Sequence, residues 1–466
     1  MSAPRLILAL NNLSDRFWLT HMRHKMTTAR ASRFACLLAC AMAACASSAA
    51  DILIRSFQPE QPLSRALRPA PVTAVINNSG SLPVEVRIRL VLPDVVRVVR
   101  VDQAETVRIA SQGERRIGWE IEAQAAGPCE LRLEVSAGDD AVAAALPMRF
   151  LPAAEQRKLE YIPDPVPAKT QILIGAHHCP LWEADKFRMW DNVLKHPERT
   201  PALGFYAQEN PQVSDWETKW AVEHGVSFFI YCWYRASQGG PVQTRYSSAI
   251  NDALFKSKFV DKMKFTLMWE NQSRGVAGVA DEHDLMTNLL PYWIETYFKH
   301  PSYLKIDNRP VLFVYRPEYL VQDLGSKAAV ARAFDKMRQA CKDAGFAGLT
   351  ILGEYRGTQP EHLGLLKDLG LDYTFAYCWG IPNSPTPKQA IQTQLGYIRK
   401  TQELGVLPQV VTVSQAWSGW RDEGSIWKIP PLDFEELLRQ AKAFIATLPP
   451  EQLGSKMLLL DNWNEW

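Results

Sequence analysis

Two rhythms of apolar and polar residues divide this chain. From residue 51 to about 152, apolar positions recur every second residue in "PVTAVINN", "VEVRIRLVL", "RRIGWEIEA", "CELRLEVSAG" and "AVAAALPMRF". That is the period of half-buried β-strands, whose successive side chains point to opposite faces. The clusters "NNSGS", "SQGE" and "AGDD" punctuate the runs as turns. Short strands at this spacing predict an antiparallel, immunoglobulin-like β-sandwich over 51–152. It carries no cluster of catalytic residue types, so a spacer or packing module is expected, with direct glycan binding as the alternative. The Pro-rich, polar stretch 153–170 reads as a linker.

From Gln171 onward, short apolar runs alternate with longer amphipathic stretches, the signature of βα units around a parallel sheet. Strands are predicted at Ile172–Ala176, Val226–Tyr231, Lys264–Trp269, Pro310–Tyr315, Leu349–Gly353, Tyr373–Ala376, Val410–Val413 and Met457–Leu460. Helices fall between them, for example in "DLMTNLLPYWIETYFKH", "KAAVARAFDKMRQACKDAG" and "PLDFEELLRQAKAFIATL". Eight such units over 171–466 predict a (β/α)8 barrel. An open doubly wound sheet is the alternative, but no Gly-rich nucleotide-binding turn is present.

Composition adds three points. The formal net charge of +2 gives no electrostatic footprint for nucleic acid. Fifteen Trp and fourteen Tyr, most of them beyond residue 180, exceed what core packing asks for and suit stacking on sugar faces. The N-terminus reads as an export signal over 1–50, after an upstream extension: basic "MTTARASRF" from Met26, apolar "ACLLACAMAACA", then "SSAAD" with cleavage near Ala50. The apolar run is too short to span a bilayer. Secretion to the periplasm or medium is expected, with lipid anchorage through Cys40 or Cys45 as the alternative. The other cysteines (Cys129, Cys179, Cys232, Cys341 and Cys378) lack disulfide or zinc spacing, so no metal or organic cofactor is expected.

Barrel sites lie at the carboxyl ends of the strands. Those ends carry aromatics, amides and carboxylates: His177 after strand one; Tyr231, Trp233 and Tyr234 on strand two; Trp269, Glu270 and Asn271 on strand three. Strand four ends in "VYRPEY", strand five at Glu354, and strand six runs into Tyr377 and Trp379; Trp417 and Arg421 follow strand seven. Residues 231, 233 and 234 cannot all face one way on a strand, so some of them pack under helices. Glu354 has the alternative of pairing with a neighbouring arginine. Aromatic faces with carboxylates and amides suit a glycan, and two carboxyls can cleave a glycosidic bond. No Gly-x-Ser-x-Gly elbow is present, which disfavours a serine hydrolase.

Five pieces in order carry a resemblance: "DWETKWAVEHGVSFFIYCWYR", "TLMWENQSR", "YFKHPSYLKIDNRPVLFVYRPEYL", "QAWSGWRDEG" and "LLLDNWNEW". From about Gly175 onward the chain resembles the WbsX-type, glycoside hydrolase family 99-like domain. The resemblance implies a (β/α)8 fold and action on an oligo- or polysaccharide, with endo-α-mannosidase activity in the related hydrolases. It implies that Glu465 matches the first of two catalytic glutamates, a base acting on the sugar's own 2-hydroxyl, with Asn464 and Trp466 beside it in the motif. The second glutamate would fall two residues beyond Trp466, so the barrel is expected to be cut within its catalytic motif. Two departures stand out: Trp269-Glu270-Asn271 lacks the first asparagine of the family's strand-three pattern, and "GAHHCPLW" replaces a tyrosine-rich opening. Three functions compete: a secreted glycan hydrolase, a glycosyltransferase of surface-polysaccharide synthesis, and a non-catalytic glycan-binding protein.

Overall fold

A computed structural model of the chain describes residues 52–61, 63–101, 104–154, 159–196, 200–273, 276–381, 385–417 and 427–465. The alternating segment forms two facing sheets. One orders its strands Ile52–Pro59, Ala70–Asn78, Gly113–Ala123, Val96–Val101, all antiparallel. The other runs Ser64–Arg65, Asp140–Leu151, Gly127–Ala137, Val84–Val91, Thr106–Ile109. Alternate residues meet in one core: Val72, Ala74 and Ile76 from the first sheet, Leu131, Leu133 and Val135 from the second. The segment is an antiparallel β-sandwich.

The second rhythm folds as a (β/α)8 barrel. Its strands, one to eight, are Leu173–His178, Phe228–Arg235, Lys264–Trp269, Arg309–Val314, Thr350–Glu354, Tyr373–Phe375, Val411–Val413 and Met457–Leu460. They pair in parallel in the order six, five, four, three, two, one, eight, seven. A parallel bridge between Thr374 and Gln409 brings the two ends of the ring together. Helices begin where cap and proline coincide: Asn210 caps Pro211–Glu223, and Thr386 closes a capping box with Gln389 over Pro387–Leu404. The expected helix around residues 284–300 is present with a local change of winding. It takes π turns at Leu285–Leu289 and Ile294–Phe298, on either side of Pro291, whose missing N–H and ring disturb the ordinary ladder.

Side-chain parity decides what reaches the site. Phe228, Ile230, Cys232, Val311, Phe313, Leu352, Met457 and Leu459 fill the barrel interior. Phe229, Tyr231, Trp233, Leu267 and Trp269 face the opposite way, against the surrounding helices. Gly175 is required by this packing, because a Cβ there would stand 2.3 Å from the Phe228 ring. Gly175→Ala is expected to cost about 1–3 kcal/mol in urea unfolding, since the barrel interior has no room to give; an unchanged midpoint would contradict this packing.

All five cysteines outside the N-terminal segment are free thiols; Cys129 is half-buried and the other four are buried. Among the described residues, no helix is long and apolar enough to cross a membrane.

Candidate active site

The inward parity carries past the strands' carboxyl ends and delivers a definite set of side chains to the mouth of the barrel. Strand one contributes His177, fully buried beneath the Tyr377 ring at 4.8 Å between centroids. Its Nδ1–H donates to the Leu460 carbonyl at 3.1 Å, and burial lowers its pKa to about 4. The imidazole is therefore neutral at neutral pH, with an Nε2 lone pair that is buried and has no protein partner.

Above it, the Tyr377 hydroxyl donates a short hydrogen bond to Glu465. Burial, then the neighbouring Cys232 and Glu465, push the Tyr377 phenol well above its ordinary range, so it remains a donor. Glu270 stands past the end of strand three, 4 % exposed, with both carboxyl oxygens buried and unpartnered. Burial raises its pKa from 4.5 to about 7, against weaker opposition from the Gln272 backbone and from Arg316 and Arg245. Tyr234, on the inward side of strand two, feels both carboxyls: burial raises its pKa first, then Cys179 and Cys232, then Glu270 and Glu465. Asn462 joins this end of the barrel, buried, with both amide atoms unpartnered. Buried polar groups without partners are rare in folded proteins and tend to mark places that a ligand or water completes.

Glu270 makes folding pH-dependent. In the unfolded chain the carboxyl ionises near its ordinary 4.5; in the folded protein it holds its proton to about 7. Stability is therefore greatest below the unfolded value and falls by about 3 kcal/mol as pH rises through that window. Glu270→Gln is expected to match wild type in acid and to exceed it above neutrality by about that amount in urea unfolding. Parallel pH profiles for the two proteins would mean that Glu270 titrates normally.

Several expected contacts lie elsewhere. Tyr231, Trp233 and Trp269 sit on the helix-facing side: Trp233 packs edge-on to Trp293, and Trp269 donates to the Ala277 carbonyl at 2.8 Å. Trp379 stacks on Tyr397 of the helix Pro387–Leu404 and donates to the Thr412 carbonyl at 2.9 Å. Tyr231, Trp233 and Trp269 pack beneath the helices because strand pairing gives them outward parity; Trp379 lies past the end of strand six, where alternation breaks after Tyr377 and the ring turns to the helix side. Asn271 is consumed by a two-way clamp on Arg316, accepting from its N–H and donating to its carbonyl, each at 2.8 Å. Asn464 clamps Cys179 in the same way, at 2.7 and 2.9 Å. Glu354 is paired with Arg356 and, at 3.2 Å, with Arg316. The Trp417 backbone pairs in a two-residue ribbon with Trp427; Arg421 and Trp466 lie outside the described residues.

Arg356, which donates to the Tyr315 hydroxyl at 2.8 Å, was not singled out in the sequence, and neither was Asn462. Arg356 and Tyr315 continue the inward parity of Leu352–Glu354 and Val311–Phe313, a signal present in the sequence. Nothing in the sequence separates Asn462 from its neighbours.

A parallel barrel with carboxyl groups, phenols and unpartnered polar atoms gathered at its carboxyl mouth belongs to the class of (β/α)8 proteins whose site is built from strand ends. Residues 192–404, a little under half of the chain, match the family described as glycosyltransferase WbsX. Two curated relatives, each called uncharacterized protein WxcX, come from strains of Xanthomonas campestris pv. campestris. One is 24% identical over 324 residues, covering 61% of this chain and 43% of the relative. The other is 24% identical over 231 residues, covering 46% and 30%. The chain therefore spans less than half the length of these relatives. Among solved structures, it is similar to the GH99 endo-alpha-mannosidase from Bacteroides thetaiotaomicron at 14% identity and a TM-score of 0.41, over 63% of this chain and 85% of that one.

Proposed function

We propose that the mouth of the barrel binds a glycan and hydrolyses one of its glycosidic bonds, with mannose-containing polysaccharide as a candidate substrate. The observation that carries this reading is the pair of buried carboxyls at the barrel's carboxyl end in different settings, Glu270 with both oxygens unpartnered and Glu465 accepting the Tyr377 hydroxyl. One carboxyl holds its proton to about pH 7, and the other accepts the Tyr377 hydroxyl. Two carboxyls in opposite roles are what glycosidic cleavage requires. Glu270 gives its proton to the departing glycosidic oxygen as the bond to the anomeric carbon breaks. Glu465 takes the proton of the hydroxyl that attacks that carbon. The half-buried rings of Tyr315 and Tyr234 offer surfaces for the sugar, and the Glu354–Arg316–Arg356 network fixes the wall behind them.

The second reading is glycosyl transfer, favoured by the name of the matching family. The order of basic, apolar and small residues over 26–50 supports export, where nucleotide-sugar donors are absent, and so supports hydrolysis. The test is incubation of the protein with a panel of bacterial and fungal polysaccharides, mannans included. New reducing ends without any nucleotide sugar are expected. Product that appears only when a nucleotide sugar is supplied would establish transfer instead.

A further inference from the structure

Behind the end of strand eight, on the helix side of the barrel wall, lies a second cavity of about 190 Å³. Trp182, Trp190 and Tyr206 from the segment after strand one line it, with Glu217 of the helix Pro211–Glu223 and with Trp463 and Asn464. Trp463 and Asn464 directly precede Glu465, yet the Trp463 ring packs on Phe229 at 5.0 Å, on the outward face. The chamber and the mouth of the barrel therefore share one backbone segment and open off opposite sides of it.

We propose that this chamber is a second sugar-binding subsite, holding a single sugar residue of the glycan whose neighbouring part occupies the mouth; it rests on the reading of the mouth as a glycan site. Four features support a neutral sugar. Trp182 and Trp190 stack at 4.0 Å, and Tyr206 meets Trp190 edge-on at 5.3 Å, giving a rigid aromatic wall of the kind that covers sugar C–H faces. The same lining carries groups that can bond a sugar hydroxyl, the Glu217 carboxylate and the Tyr206 phenol, while Asn464 is held by its clamp on Cys179. The Trp182 indole N–H is a buried donor with no partner in the protein. Glu217 already accepts from His178 Nε2 and Trp463 Nε1, each at 3.2 Å. Each of its oxygens keeps a lone pair for a hydroxyl donor, while its charge is opposed to an anionic ligand. An entirely apolar guest would leave the carboxylate and the indole N–H unmatched. The volume suits one ring and excludes an extended oligosaccharide.

The test uses the whole protein biosynthetically labelled with 5-fluorotryptophan, titrated with free mannose, glucose, galactose, N-acetylglucosamine and rhamnose and followed by 19F NMR. At least one monosaccharide is expected to shift the resonances assigned to Trp182 and Trp190. The shift is expected to survive Glu465→Gln and to weaken at least tenfold in affinity in Trp190→Leu. The labelled wild type needs no folding of a variant, so the first measurement stands alone. No shift with any of the five sugars would overturn the proposal, as would a shift abolished by Glu465→Gln and untouched by Trp190→Leu. Choline is the control: a shift with choline and none with sugars would make the chamber a cation cage and overturn the sugar assignment. Failure of the hydrolytic reading shows separately, as absence of reducing ends while monosaccharide binding to the chamber persists.

Discussion

Glu465→Gln is expected to lower kcat for glycan hydrolysis by about 10²–10⁴-fold, the range over which a positioned general base accelerates a reaction. The amide keeps the size and shape of the carboxyl and can still accept the Tyr377 hydrogen bond through its oxygen, so the thermal midpoint and KM are expected to change little. What it loses is the ability to take a proton. Tyr377→Phe is a milder companion. It removes one donor to a charged acceptor, an interaction of about 1.5–3 kcal/mol, and is expected to cost about 10- to 100-fold in kcat. Rates for Glu465→Gln close to wild type, measured by reducing-end release on the same polysaccharide, would remove Glu465 from the chemistry.

Asp284→Ala is expected to be the most destabilising single change in the barrel, at about 3–5 kcal/mol in chemical unfolding. Arg235, at the end of strand two, is fully buried, and its guanidinium grips Asp284 through two bonds of 2.6 and 2.8 Å. The same carboxylate accepts from the backbone N–H groups of Gly239 and Ala280, both at 3.0 Å, and from Asn288 at 2.9 Å. Burial alone would raise its pKa, but Arg235 and the other donors outweigh burial and hold it well below the usual carboxylate range. The stabilisation is therefore complete at neutral pH and is lost only as pH falls through that depressed value. Alanine would strand a buried guanidinium without its counter-charge and release the segments after strands two and three, which flank Glu270. Asp284→Asn separates shape from charge and is expected to fall between alanine and wild type. A loss for alanine no larger than that of an ordinary surface ion pair, about 1 kcal/mol or less, would show that Arg235 finds water instead.

How much of this was legible in the sequence depends on the length scale. Apolar periodicity located the barrel strands to within a few residues, because a strand buried on both faces has to be an uninterrupted apolar run, as Val311–Val314 is. The strand ends were legible as places; which side chains face inward was only partly so. Trp269 and Glu270 are adjacent, equally plausible sugar contacts by type, and point opposite ways. Choosing between them needs the barrel axis, which pairing with Trp233 on one side and Val314 on the other supplies. Parity counted along each strand would have moved weight from Tyr231 and Trp233 to Tyr234, and towards Tyr315 and Arg356. Asn271 and Asn464 were legible as polar residues at a site, but their two-way backbone clamps depend on contacts 45 and 285 residues away. Motif spacing carries no trace of such contacts. The unpartnered atoms of Glu270 and Asn462 are visible only once every neighbour is in place.

On the proposed function, a glycan is held for cleavage at the carboxyl mouth of the barrel, between Glu270 and Glu465. The most direct test is a crystal structure of the Glu465→Gln protein soaked with an oligosaccharide prepared from whichever polysaccharide the wild type degrades. A glycosidic oxygen is expected within hydrogen-bond reach of the Glu270 carboxyl, with the sugar ring between it and residue 465. Sugar bound only on the β-sandwich, or at the barrel mouth with its glycosidic oxygen remote from both residues, would contradict it.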